Sequence, residues 1–182
     1  MRLGTRITLG VMALVLACAG MITWWIRASH TAAELNEAAR DLYSKEATGV
    51  FTDLHGKGLD LGDVAQGEVV VVTSWASWCP LCAQDLATIN QVVGEHAEGE
   101  VHALAINRHE SQEQAARYLL TVPELPKITY VLDTKDYYFG AVDGYAMPET
   151  LVYDRQGKII LHQRGNVSAD ELRSALTTAL QN

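Results

Sequence analysis

An α/β domain with a mixed central sheet flanked by helices, preceded by an apolar N-terminal segment, is the fold class this sequence predicts. Three observations predict it. A continuous apolar run, Val69 to Val72, fits a central strand buried on both faces. It leads through Trp75-Ala76-Ser77-Trp78-Cys79-Pro80-Leu81-Cys82 into a helical pattern with Cys82, Leu86, Ile89 and Val93 on one face. Two further stretches read as β-hairpins, which add antiparallel strands to the sheet.

The chain of 182 residues suits one domain plus an appendage. After Met1-Arg2-Leu3-Gly4-Thr5-Arg6, an apolar run from Ile7 to Ile26 carries no charge, and its length is enough to cross a bilayer. A cleavable signal peptide has a shorter apolar core and a small-residue cleavage site. Here Met21 to Ile26 continues the run, and Trp24 and Trp25 stand where an interfacial aromatic belt lies. The expectation is an uncleaved single-pass membrane anchor over residues 1–27, with lipoprotein processing at Cys18 as the rival. Arg2 and Arg6 before the span, against Arg27 and Arg40 after it, favour a cytoplasmic N-terminus and a domain outside. Residues 28–48 read as a helical linker. It opens on the capping box Thr31-Ala32-Ala33-Glu34 and carries Leu35, Ala38, Ala39, Leu42 and Tyr43 on one stripe.

Residues 49–182 form the folded domain, long enough to bury a sizeable core. Phe51 to Leu54 and Leu59 to Leu61 alternate around His55-Gly56-Lys57-Gly58, a hairpin signal in which His55 and Lys57 are solvated turn residues. The strand at Val69 is followed by a helix expected from Cys79 to about His96, then by a strand over Val101 to Ile106. The capping box Ser111-Gln112-Glu113-Gln114 opens a helix to about Leu120. Pro123 and Pro126 mark a loop, Ile128 to Leu132 a strand, and Lys135 to Ala141 a short helix. Leu151 to Tyr153 and Lys158 to His162 flank the turn Asp154-Arg155-Gln156-Gly157 as an antiparallel pair. A last capping box, Ser168-Ala169-Asp170-Glu171, opens a helix with Leu172, Ala175, Leu176, Ala179 and Leu180 at helical spacing.

The net charge of −8 argues against nucleic-acid binding, which wants a basic face. The chemistry therefore centres on the two cysteines at the strand-to-helix turn. At a helix N-terminus, unpaired N–H groups and the helix dipole stabilise a thiolate, the nucleophile of disulfide exchange. Cys79 takes that place, and Cys82 lies one turn on, on the packed face, placed to resolve a mixed disulfide. Pro80 fits a first helical turn, where its missing N–H costs little. A structural disulfide or half of a zinc site has the same spacing. Four-ligand zinc wants a second Cys or His pair, whereas the six histidines are scattered and the one other cysteine is Cys18, a small apolar residue within the N-terminal run. His102 reads as a satisfied or edge histidine rather than a catalytic one. No metal ligand set is expected.

Trp75 to Cys82 resembles the active site of thioredoxin-fold proteins. A second mark, Met147-Pro148-Glu149-Thr150 before the strand at Leu151, resembles the cis-proline loop of that fold. Together they are similar to the anchored TlpA, ResA and CcmG-like thiol-disulfide oxidoreductases, and the Pro148-Glu149-Thr150 triplet is similar to that of the CcmG-like cytochrome c maturation proteins. The resemblance covers about residues 49 to 182.

It implies a thioredoxin-like fold with an N-terminal hairpin. It implies thiol-disulfide exchange by Cys79 and Cys82 with no metal or organic cofactor, the redox-active disulfide being the working group. Trp75 and Trp78 would wall the site and offer apolar contact, Pro80 and Leu81 would shape it, and Met147 would offer its backbone to a substrate strand beside a cis-Pro148. Glu149 has two readings. Beside the dithiol it would raise the thiol pKa by like-charge repulsion; otherwise it is a solvated acid. Thioredoxins proper place a buried Asp two residues before the first Trp, where this chain has Thr73. Either Glu149 or water then takes the proton of the resolving cysteine, or the chemistry is slower. The resemblance further implies a reductase in the periplasm or an equivalent space. Its partners would be protein disulfides, with apocytochrome c as candidate, and a membrane-embedded electron donor. A disulfide-donating oxidant of the same fold and a non-catalytic adaptor are the alternatives.

Overall fold

The computed structural model describes residues 18–25, 51–61 and 67–182. They belong to two compact units that divide between Leu35 and Asn36. In the first, residues 18–25 are helical. Among the described residues no helix is long and apolar enough to cross a membrane. Most of the expected span, Ile7 to Ile26, and all of the expected linker, 28–48, lie outside the described residues.

The second unit is built on a seven-stranded mixed sheet. Its strands are β1 (Phe51–Thr52), β2 (Gly58–Leu59), β3 (Val69–Trp75), β4 (Val101–Arg108), β5 (Ile128–Asp133), β6 (Glu149–Tyr153) and β7 (Ile159–Arg164), in the order β2-β1-β5-β4-β3-β6-β7. Strands β3, β4 and β5 are parallel, whereas β6 runs antiparallel to both β3 and β7. The first hairpin joins the far edge through Thr52 opposite Leu132. The helices are α1 (Cys82–Val93), α2 (Gln112–Leu119), α3 (Tyr137–Ala141) and α4 (Ala169–Gln181).

All seven residues of β3 are buried, as the unbroken apolar run requires of a central strand. Alternation splits them between two cores. Val69, Val71 and Trp75 pack with Leu86, Ile89, Leu172 and Leu176 of α1 and α4, and with Ala115 of α2. Val70 and Val72 pack on the opposite face with Tyr138, Val142, Leu151 and Tyr153. A slip of one residue would exchange the two sets, so the register of β3 is fixed from both sides.

Within residues 51–182 the expected strands and helices are present among the described residues, with moved ends. α1 begins at Cys82, three residues after the expected start, because the first i→i−4 bond runs from Asp85 N–H to the Leu81 carbonyl at 3.2 Å. Cys79 to Leu81 form a turn in which the Cys82 N–H donates to the Cys79 carbonyl at 3.4 Å. α1 ends at Val93, where Gly94 caps it, short of His96. Both capping boxes in the domain are closed reciprocally, at Ser111 with Gln114 and at Ser168 with Glu171. In the β6–β7 turn, Asp154 Oδ1 accepts from the N–H groups of Gln156 and Lys158, and Gly157 takes φ +75°. Glycine alone adopts that backbone without a steric cost.

Candidate active site

The site is built where β3 ends. Trp75 is its last residue, and the chain turns through Ala76, Ser77 and Trp78 to Cys79, whose N–H donates to the Ala76 carbonyl at 3.1 Å. Cys79 and Cys82 are joined as a disulfide with their Cα atoms 5.5 Å apart. Cys82 is fully buried at the head of α1, and Cys79 is 3% exposed. Trp78 and Leu81 frame the pair at the surface, exposed by 61% and 49%, and Pro80 is exposed beside them.

Trp75 does not share that role. It is fully buried, its indole N–H donates to the Ala105 carbonyl at 3.1 Å, and its ring packs against Tyr118 and Tyr130 at 5.6 and 5.7 Å between centroids. The expectation that it offers contact to a partner is therefore corrected. It supports the turn from below, while Trp78 alone of the two tryptophans faces outward.

Two acids without a sequence motif of their own stand around the site, and the first of them holds this turn. Glu110, 5% exposed, receives both groups of Ser77: the N–H on Oε2 at 2.9 Å and the hydroxyl on Oε1 at 2.5 Å. The Asn107 amide holds the same Oε2 at 2.7 Å. The loop between Trp75 and Cys79 is thus pinned by a carboxylate from the β4–α2 connection.

Asp85 is the second. It lies one turn beyond Cys82 on α1, on the same packed face, and is fully buried. Oδ1 accepts the Val167 N–H at 2.8 Å. The Thr73 hydroxyl donates to Oδ2 at 3.2 Å, and the Thr150 hydroxyl lies 3.1 Å from the same oxygen. Burial pushes the Asp85 pKa up, and these three hydrogen bonds oppose it only in part. The signal was present in the sequence as an acid on the otherwise apolar stripe of α1. Thr73, which cannot itself hold a charge, hydrogen-bonds to a carboxylate supplied by the helix.

Glu149 takes a different place from the one expected. It follows the cis Met147–Pro148 bond and opens β6 opposite Ser74. Thr150, the next residue, points to Asp85, so Glu149 points to the other face of the sheet. It is fully buried, which removes the reading as a solvated acid. Its carboxylate is engaged by His162, by Arg164 at 3.5 Å, and by the backbone N–H groups of Tyr145 and Ala146 at 2.7 and 2.9 Å. Of the two acids, Asp85 rather than Glu149 stands on the sheet face of the helix that carries Cys82. Pro148 is buried and Met147 partly so. His102, partly exposed, lies on the interior strand β4 and pairs with Glu68 just before β3, so it is a satisfied histidine rather than an edge one.

A cysteine pair at the carboxyl end of a central strand, with a cis-proline bond leading into the neighbouring strand, is the arrangement on which known proteins can be compared. The sequence model of the family described as redoxin matches residues 37–180. The chain belongs to the redoxin family. Among redoxin relatives it is 26% identical over 127 residues to "Thiol-disulfide oxidoreductase ResA" of Bacillus cereus, covering 70% of this chain and 72% of that protein. It is 33% identical over 103 residues to "Thiol:disulfide interchange protein DsbE" of Allochromatium vinosum, covering 56% of this chain and 54% of that one. A solved structure described as DsbE of Chlorobium tepidum superposes with a TM-score of 0.61 at 28% identity, over 68% of this chain and 87% of that chain. With its disulfide-bonded Cys79 and Cys82, this redoxin chain is a thioredoxin-like thiol-disulfide oxidoreductase.

Proposed function

We propose that the chain is a reductase of protein disulfides, anchored in a membrane with its redoxin domain outside the cytoplasm. The observation that carries the direction is Asp85. It is a buried carboxylate one turn from Cys82, whose partners are two hydroxyls and one N–H, none of them a cation. A negative charge there disfavours a thiolate. Only the reduced form carries a thiolate, so the charge disfavours the reduced form and lowers the potential of the pair.

The reaction takes two steps. The Cys79 thiolate attacks one sulfur of a substrate disulfide, forming a mixed disulfide and releasing the other sulfur as a thiolate that takes up a proton. Cys82 then gives its proton to Asp85 or to water and attacks Cys79 Sγ. The substrate leaves with both sulfurs reduced, and the protein keeps the Cys79–Cys82 disulfide. Two electrons and two protons pass to the substrate, and no metal or organic cofactor takes part. A membrane-embedded dithiol donor restores the reduced pair.

The uncharged run from Ile7 to Ile26 supports the anchor, and the arginines before it support the orientation. The resemblance of Pro148-Glu149-Thr150 to the cytochrome c maturation proteins supports the haem-binding cysteines of apocytochrome c as substrate. The deciding measurement is the equilibrium potential of the pair against a glutathione or dithiothreitol series. Thiol-disulfide proteins of this fold span about −270 to −120 mV. A value near the reducing end is expected. A value near the oxidising end would make the chain a disulfide donor instead.

A further inference from the structure

We propose that Glu110 is a positioning residue for the dithiol. By holding Ser77 through both its donor groups, it keeps Cys79 within reach of Cys82 once the disulfide is open, and so speeds the step in which Cys82 displaces the substrate. The proposal rests on the thiol-disulfide exchange reading and adds to it the part of the site that governs the intramolecular step.

The first ground is that the turn has little packing of its own. Between buried Ala76 and buried Cys82, Trp78, Pro80 and Leu81 are exposed and Ser77 is half-buried. The backbone bonds within the turn are local: the Cys79 N–H to the Ala76 carbonyl at 3.1 Å, and the Cys82 N–H to the Cys79 carbonyl at 3.4 Å. In the oxidised protein the disulfide itself ties Cys79 to α1. On reduction that tie is lost, while Cys82 stays in the helix. A tie from outside the turn remains in Glu110. Its Oε2 accepts the Ser77 N–H at 2.9 Å, and its Oε1 accepts the Ser77 hydroxyl at 2.5 Å.

The second ground is what the β4–α2 connection gives up to deliver this carboxylate. His109 takes φ +53°, a left-handed backbone that residues other than glycine adopt seldom. It stands immediately before Glu110, which is buried and meets the Asn107 amide at 2.7 Å. Asn107 lies opposite Trp75 in the sheet and is fully buried, and its side-chain carbonyl oxygen has no hydrogen-bond partner among the described residues. Buried polar groups are ordinarily paired, and cost stability when they are not. A strained residue and an unmet acceptor thus stand on either side of one carboxylate, and that carboxylate ends on the dithiol turn. Such local costs persist where a site needs the geometry they hold.

The third ground is the chemistry of closure. Cys82 loses its proton, its thiolate attacks Cys79 Sγ, and the substrate sulfur leaves with the electron pair. Groups held in reacting geometry gain rate through effective concentration, and a displacement of about 1 Å can cost about 100-fold. The same proximity sets the equilibrium. The more often the open thiols stand in closing geometry, the more the disulfide is favoured and the lower the potential. Glu110 therefore acts by distance, whereas Asp85, one turn from Cys82, acts by charge.

The test uses the reduced full chain and 5,5′-dithiobis(2-nitrobenzoate), followed by stopped flow. Attack by Cys79 releases one nitrothiobenzoate at a rate proportional to the reagent. Displacement by Cys82 releases the second at a rate independent of it. Glu110→Gln keeps the size of the side chain but offers one acceptor oxygen in place of two. It is expected to slow the second phase roughly 10-fold and to leave the first within about 2-fold, with the pH profile of the second phase unshifted. Against a glutathione series the effective concentration of the pair falls by about the same factor, equivalent to a rise in potential of about 30 mV. Ser77→Ala removes only the hydroxyl bond and is expected to slow the second phase about 3-fold. The double variant is expected to be no worse than Glu110→Gln alone, because the two changes break one shared contact. Should Glu110→Gln fail to fold, Ser77→Ala carries the test. An unchanged second phase overturns the proposal. So does equal slowing of both phases, which marks general loosening, or a shifted pH profile, which marks Glu110 as a charge acting on the thiols. A wild-type chain whose second phase never appears would defeat the exchange reading itself, and that result needs no variant.

Discussion

At the scale of single residues, Cys79 and Cys82 divide the work by position. Cys79 lies in the turn between exposed Trp78 and Pro80, and Cys82 is sealed at the head of α1. Cys82→Ser is expected to accumulate mixed disulfides with partners, seen as dithiothreitol-sensitive bands on a gel, and Cys79→Ser is not. Equal trapping by both would reverse or dissolve the assignment. Asp85 gives a second prediction. Its pKa in the fold lies above the unfolded value because of burial. Between the two values the folded state holds more protons than the unfolded one, so stability falls as pH rises through that window. Below the ordinary carboxylate value the effect is absent, and above the raised value it is fully expressed. Asp85→Asn carries no such cost. In urea unfolding of the oxidised protein its stability relative to wild type is expected to improve as pH rises from the ordinary carboxylate range upward. The same substitution removes a charge beside the dithiol and is expected to raise the potential; about 30 mV corresponds to 1.4 kcal/mol for two electrons. A variant with unaltered potential and unaltered pH dependence would remove Asp85 from the mechanism.

At the scale of elements, the turn between β3 and α1 depends on Glu110. Glu110→Ala would leave the half-buried Ser77 N–H and the buried Asn107 amide without their acceptor, and loss of a buried acceptor costs about 1–3 kcal/mol. The expected result is a drop of that order in unfolding free energy, together with faster proteolysis after Trp78. Ser168→Ala removes the reciprocal cap of α4 and is expected to cost about 1 kcal/mol. What was legible in the sequence follows from how local its signal is. The unbroken valines of β3, the four-three-four spacing on α1, and the Ser-x-x-Gln and Ser-x-x-Glu boxes all act within one or two turns of chain, and each is found in the fold. The start of α1 was misplaced because Pro80 is compatible with a helix without requiring one. The roles of Asp85 and Glu110 are not legible in the sequence because their partners are remote: Val167 is 82 residues from Asp85, and Ser77 is 33 from Glu110. Glu149 stands on the face of β6 opposite Thr150 and α1 rather than beside the dithiol. Strand alternation would have sent it to the opposite face from Thr150, but only once Thr150 was known to face α1.

At the scale of the whole molecule, the proposed anchor and orientation make one prediction. An alkaline phosphatase fusion after Asn182 is expected to be active, a cytoplasmic reporter at the same site silent, and sequencing of the mature N-terminus to begin at Met1 or Arg2. A lipid-bearing N-terminus at Cys18 would establish the rival. The order of the sheet has a consequence in time. Strand β3 is flanked by β4, which follows directly in the chain, and by β6, which brings the Thr150 hydroxyl to Asp85 and the Met147–Pro148 loop. Synthesis proceeds at about 5–20 residues per second. Several seconds therefore separate the emergence of Cys82 from that of Thr150, and α4 with its share of the core comes later still. Throughout that interval the two thiols stand on an unfinished chain, without the residues of β6 and α4 that complete the core in which both cysteines are buried. Ribosome-bound chains ending before Met147 should accordingly take up a bulky maleimide at both cysteines, whereas release of the last helix should shield Cys82 first.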